Sequence, residues 1–144
     1  MAIWQFRCNI IPSRENIDSL SCQEIISWHD VPQPICYIDF LEREKNWSPQ
    51  IVQYGKIDET CIEFIFDKDK LIEIECRLDL RILTKLVFLK TIEYVQSINA
   101  LFWVDNKVYL PKAEVMREVL NNSSANRYCR NPSEYFFYMD AGLR

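Results

Sequence analysis

In the stretch Leu71-Ile-Glu-Ile-Glu-Cys-Arg-Leu-Asp-Leu-Arg-Ile82, polarity alternates without a break from Ile72 onward. Ile72, Ile74, Cys76, Leu78, Leu80 and Ile82 are apolar, and Glu73, Glu75, Arg77, Asp79 and Arg81 between them are charged. A period of two sends successive side chains to opposite faces of a strand, so this reads as a strand with one buried and one solvated face, paired antiparallel. Just upstream, Thr60 to Phe66 places Ile62, Phe64 and Phe66 on an apolar face of its own. Asp67-Lys-Asp-Lys70 between the two runs reads as a turn, and the whole as a hairpin.

Outward from this hairpin, Gln50 to Tyr54 adds another strand, with Gly55 in the connecting turn. At the start of the chain Trp4, Phe6, Cys8 and Ile10 alternate with Gln5, Arg7 and Asn9, which predicts a half-buried strand stopped by Pro12. Ser13 to Ser27 carries helix-compatible apolar spacing, Pro32 and Pro34 break whatever forms there, and Ile35 to Glu44 fits helix or strand, with helix favoured. Trp47-Ser-Pro reads as a loop. On the other side the period changes. Leu86, Phe88, Leu89, Ile92 and Val95 share one side of a helix over Thr84 to Ser97, with Thr84 as cap. Leu101 to Val104 and Lys107 to Leu110 flank Asp105-Asn106, a two-residue hairpin turn. After Pro111, Val115, Met116, Val119 and Leu120 form the stripe of a short helix that Asn121-Asn-Ser-Ser ends. Pro132-Ser-Glu starts a last helix with the aromatic run Tyr135 to Tyr138. The fold class is α+β: a mainly antiparallel sheet with helices packed on it, in a single domain over residues 1–144.

At 144 residues the chain is long enough for a core of its own. It has only two glycines, Gly55 and Gly142, which excludes the P-loop, the dinucleotide fingerprint and the kinase glycine loop, since all need several close glycines. Its net charge is −4, and the densest basic stretch, Arg127 to Arg130, holds two charges, so a nucleic-acid footprint is not expected. An acidic domain suits a basic protein partner instead. No apolar run approaches the length of a membrane span and the start lacks the pattern of a secretory signal, which points to a cytoplasmic protein with its six cysteines reduced.

Catalytic and metal chemistry find little to stand on. His29, the single histidine, lies beside Asp30 and seven residues from both Cys22 and Cys36, so an enzyme built on Cys22 and His29 is one reading. A loop histidine is the plainer one. The closest cysteine spacing is fourteen residues, against the paired short spacings that structural zinc uses, and no metal or other cofactor is expected. Asp67 and Asp69 open like a calcium loop but lack its later ligands.

Carboxylates on the hairpin are the candidates for partner binding. If Ile62 and Cys76 share a face, Glu63 lands opposite Glu75 or Glu73, and like charges facing each other mildly destabilise a sheet. Arg77 and Arg81 could screen them on a solvated face. Alternatively, Glu63, Glu73 and Glu75, with Asp67 and Asp69 at the rim, form an acidic patch for a cationic partner.

Several pieces also resemble a known group. Trp4-Gln-Phe with Ile11-Pro12, Trp47-Ser followed by Tyr54-Gly55, Arg77-Leu-Asp-Leu-Arg81, and Ser124-Ala125, Arg127-Tyr128 and Asn131-Pro132 are together similar to small bacterial proteins resembling the immunity proteins of polymorphic toxin and contact-dependent growth inhibition systems. The resemblance implies a stoichiometric cytosolic inhibitor, not an enzyme, that binds the C-terminal domain of a cognate toxin. For a nuclease toxin with a basic cleft, it implies occlusion of the active site. An adaptor or assembly subunit using the same acidic strand face is the alternative.

Overall fold

The structure, a computed structural model, describes residues 2–130. Seven strands form one antiparallel sheet: β1 (Gln5–Pro12), β2 (Arg43–Glu44), β3 (Ile51–Tyr54), β4 (Cys61–Asp67), β5 (Lys70–Asp79), β6 (Ala100–Val104) and β7 (Lys107–Tyr109), in the order β2-β3-β4-β5-β1-β6-β7. The described helices are α1 (Cys22–Ile26), α2 (Lys85–Ser97), α3 (Ala113–Asn121) and α4 (Ser124–Arg130). The α+β expectation holds.

The predicted hairpin is present as β4 and β5, next to β1. Ile62 pairs with Cys76, which in turn pairs with Cys8, and Phe64 pairs with Ile74, which pairs with Ile10. These side chains form the buried face of the sheet together with Phe6, Leu78 and Phe102. Phe88, Ile92 and Val95 of α2 pack onto it, and Met116, Leu120 and Ala125 of α3 and α4 join the same core. Tyr37, Tyr54, Phe64 and Tyr94 make a chain of edge-to-face ring contacts, with centroids 6.0 to 6.3 Å apart. Thr84 caps α2 as expected, accepting from the Val87 N–H, whereas Leu86 of the predicted stripe is exposed. Asp105 and Asn106 both take positive φ, as a two-residue hairpin turn with the native strand twist requires.

The alternation of β5 breaks at both ends. Glu73 stands opposite Ile65 but Leu71 stands opposite Phe66, so Ile72 is an inserted bulge residue. Parity flips there, and Leu71, not Ile72, is fully buried. At the other end the strand stops at Asp79, whose Oδ1 accepts from the Arg81 backbone N–H, and Ile82 is 54% exposed instead of lining the core.

Ile35 to Glu44 is not a helix. It runs as irregular backbone until Arg43 and Glu44 pair with Tyr54 and Gln53 at the sheet edge. Its burial alternates through exposed Tyr37, buried Ile38 and exposed Asp39, a period that suits extended chain. Ser13 to Ser27 supplies only a single turn over Ile17–Ser19 and the short α1, which Ser21 and Glu24 hold with a reciprocal capping box. Conversely α4 begins at Ser124, where the sequence reads only as the end of α3. The expected helix at Pro132 with its aromatic run lies outside the described residues.

Candidate functional site

The face of the sheet opposite the core carries the predicted carboxylates. Its central row runs across five strands as Gln53, Glu63, Glu75, Asn9 and Trp103, each paired with the next. Glu63 therefore faces Glu75, one of the two expected partners. The two carboxylates stand side by side because their strands are neighbours, and the guanidinium of Arg77 joins them. Its Nη2 lies 3.0 Å from Glu63 Oε1 and 2.8 Å from Glu75 Oε1. Arg7 adds a second contact to Glu75, Nε to Oε1 at 3.0 Å. Asn46, from the segment that follows β2, donates to Glu63 Oε2 and to Gln53 Oε1.

This face is not solvated at its centre. Glu63 and Glu75 are each 6% exposed, and the Arg77 side chain 15%. Burial works to lower the Arg77 pKa, but the Glu75 and Glu63 carboxylates outweigh it and leave the guanidinium raised. Glu73 sits at the margin and accepts from Asn9 Nδ2 at 2.8 Å. Asp67 and Asp69 are exposed at the hairpin turn, with Lys68 and Lys70 interleaved. Of the predicted set, then, Glu63, Glu75 and Glu73 are brought together in one hydrogen-bonded face. Asp67 and Asp69 lie apart from them at its end.

Arg81 does not screen this face. It turns back on fully buried Asp79 in a two-pronged ion pair, Nε to Oδ1 at 3.0 Å and Nη2 to Oδ2 at 2.7 Å, and stacks 3.8 Å over the Trp4 ring. Trp4 Nε1 donates to the Asp58 carbonyl, while Gln5 Nε2 donates to the carbonyls of Ile57 and Glu59. Gly55 opens this loop at φ +82°, where a Cβ would meet the Thr60 carbonyl oxygen at 2.0 Å. The residues that carry the resemblance at Trp4, Gln5, Gly55, Asp79 and Arg81 thus latch the chain start and the 55–60 loop to one end of the sheet.

The single histidine and one cysteine are exposed, and the other described thiols lie wholly or partly buried. His29 Nδ1 meets Asp30 Oδ1 at 2.9 Å in solvent, and the ring holds the Asp30 carboxyl below its ordinary range. Cys22 is exposed at the start of α1. Cys8 and Cys76 oppose each other in the core, and the hydrogen bond to Cys76, followed by burial, pushes the Cys8 thiol well up. Burial raises Cys36 to about 11 and Cys61 to about 12. Such thiols behave as small apolar fillers, not as nucleophiles. Among the described residues, no group of three or more His, Cys, Asp or Glu is placed to hold a metal ion, and no helix is long and apolar enough to cross a membrane.

A different feature escapes a strand-by-strand reading. Between Arg14 and Arg43 the chain has no Lys or Arg, yet it carries Glu15, Asp18, Glu24, Asp30, Asp39 and Glu42. All six are exposed. Six negative charges here against −4 for the whole leave the remainder at +2, so the acidity of the protein resides in this segment. Periodicity cannot reveal it; a running sum of charge does.

The segment is held firmly for irregular chain. Trp28 is buried, with its backbone N–H on the Ile72 carbonyl at 2.9 Å and its indole Nε1 on the Ile10 carbonyl at 2.8 Å. Gln33 donates to the Trp28 carbonyl and accepts from the Leu71 N–H. Tyr94 of α2 donates to the Ile35 carbonyl at 2.6 Å. No protein-family model, curated protein or solved structure matches this chain.

Proposed function

We propose that this protein is a non-enzymatic immunity protein of the cytoplasm, which binds a cognate toxin domain, of nuclease type, and covers its active site. The observation that carries the reading is the charge distribution: six exposed carboxylates without a single Lys or Arg between Arg14 and Arg43. Exposed carboxylates in excess speed encounter with a basic partner and disfavour nucleic acid, so the inhibitor competes for a basic cleft on the terms its substrate uses. The resemblance at Trp4, Tyr54-Gly55 and Arg77 to Arg81 supports the same class.

The adaptor reading, with Glu63, Glu73 and Glu75 as the contact face, is the second. It is weaker on geometry, because Arg7 and Arg77 already neutralise Glu63 and Glu75.

The resemblance implies that a cognate toxin is encoded immediately upstream, so the test is association with the C-terminal domain of whatever protein that neighbouring gene encodes. Steering by charge gives an association rate that falls steeply with ionic strength, and occlusion gives loss of toxin activity at one-to-one stoichiometry. A complex in which the toxin domain keeps its activity would reject occlusion.

A further inference from the structure

Charge alone does not make an interface; a centre that excludes water is also needed. Within the acidic segment two large apolar side chains stand out in solvent, Ile35 at 76% and Tyr37 at 62% exposed. Their backbone does not wander. The Ile35 carbonyl is tied to Tyr94, the Tyr37 ring rests edge-on against Tyr54 at 6.3 Å, and Ile38 between Tyr37 and Asp39 is 2% exposed. Beside Tyr37 opens a groove of about 280 Å³, bordered by Asp39, Phe40, Glu93 and Tyr94. Lys90 also borders it but lies 3.6 Å from Glu93, a pairing that offsets its charge.

We infer that the ridge Ile35–Tyr37–Asp39 is the docking surface for a basic protein partner, with Tyr37 as its anchor and the neighbouring groove as the seat of a partner Lys or Arg. This rests on the proposed function and names its surface. Charge selects the occupant. A second copy of this chain would set the same carboxylates against each other, and nucleic acid or an anionic membrane would meet like charge. A cationic side chain in the groove gains both the Asp39 carboxylate and the face of an exposed tyrosine. Because the ridge is pinned before binding, little ordering cost is added when a partner arrives.

The experiment titrates the nitrogen-15-labelled chain with two probes at low salt: oligolysine, and a peptide alternating lysine with leucine. The amides of Ile35, Tyr37, Asp39 and Glu93 should shift with both, and the lysine–leucine peptide should bind more tightly. Ile35→Ser and Tyr37→Ala should each weaken that peptide about five- to tenfold, while Tyr37→Phe, which keeps the ring, should not. Both residues are exposed, so their unchanged spectra elsewhere certify the fold. Shifts confined to Glu73, Asp67 and Asp69 would overturn this surface while keeping a basic partner. No binding by either peptide would overturn the basic-partner reading itself.

Discussion

Glu63 and Glu75 face each other across neighbouring strands, both nearly sealed from water, and the guanidinium of Arg77 reaches both. Two like charges at that spacing are tolerable only while the cation between them stays. Arg77→Met should therefore lower stability by about 3–5 kcal/mol, the usual cost of stranding buried charge. Adding Glu63→Gln and Glu75→Gln should recover most of it. Urea unfolding of the two variants measures this, and equal midpoints would contradict it.

Gly55 makes a second, independent prediction. Its positive φ and the 2.0 Å approach of the Thr60 carbonyl to any Cβ leave no room for a side chain. Gly55→Ala should cost more than about 1 kcal/mol and loosen the 55–60 loop that Trp4 and Gln5 hold. Thermal unfolding reports the first effect. The second appears as faster amide exchange in that loop.

Alkaline pH should destabilise the fold through its buried thiols. Cys61 is raised from 9.0 to about 12 and Cys36 from 9.0 to about 11. Above pH 9 the unfolded chain ionises these groups while the folded chain keeps them protonated, so the folded state binds more protons and stability falls as pH rises. Their contribution is complete below pH 9 and is lost progressively towards pH 11 to 12. Cys61, 1% exposed, contributes a slope of up to about 1.4 kcal/mol per pH unit in that window, and the partly buried Cys36 contributes less. Cys61→Ala should flatten the profile measured by denaturant unfolding; an unaltered slope would reject the assignment.

Much of the fold was legible because its strands are amphipathic. Ile62, Phe64, Ile74, Cys76, Cys8 and Ile10 all face the core as a period of two requires. What was not legible depended on tertiary partners. The bulge at Ile72 arises where Trp28, far away in sequence, takes the Ile72 carbonyl. Glu63 and Glu75 read as solvated because alternation reports which residues share a face, not what folds over it; Arg7, Arg77 and Asn46 do so here. Ile35 to Glu44 is compatible with helix or strand in sequence, and contacts to Tyr54 and Tyr94 hold it extended. The acidity of residues 15–42 was legible throughout, as a running charge instead of a period.

Reversing charge on that segment separates steering from packing. Asp39→Lys with Glu42→Lys should slow association with the upstream-encoded domain about tenfold or more at low salt, with the difference shrinking at high salt as screening sets in. The same reversal at Asp67 and Asp69 should have a smaller effect, since Lys68 and Lys70 already offset them. Stopped-flow association rates make the comparison.

Survival of bacteria that express the upstream-encoded C-terminal domain tests the central claim most directly. The wild-type chain should protect them, Tyr37→Phe should protect equally, and Tyr37→Ala combined with Asp39→Lys should fail while remaining folded. Killing that the wild-type chain does not relieve would contradict immunity. Full protection by the double variant would contradict the acidic ridge as the surface that delivers it.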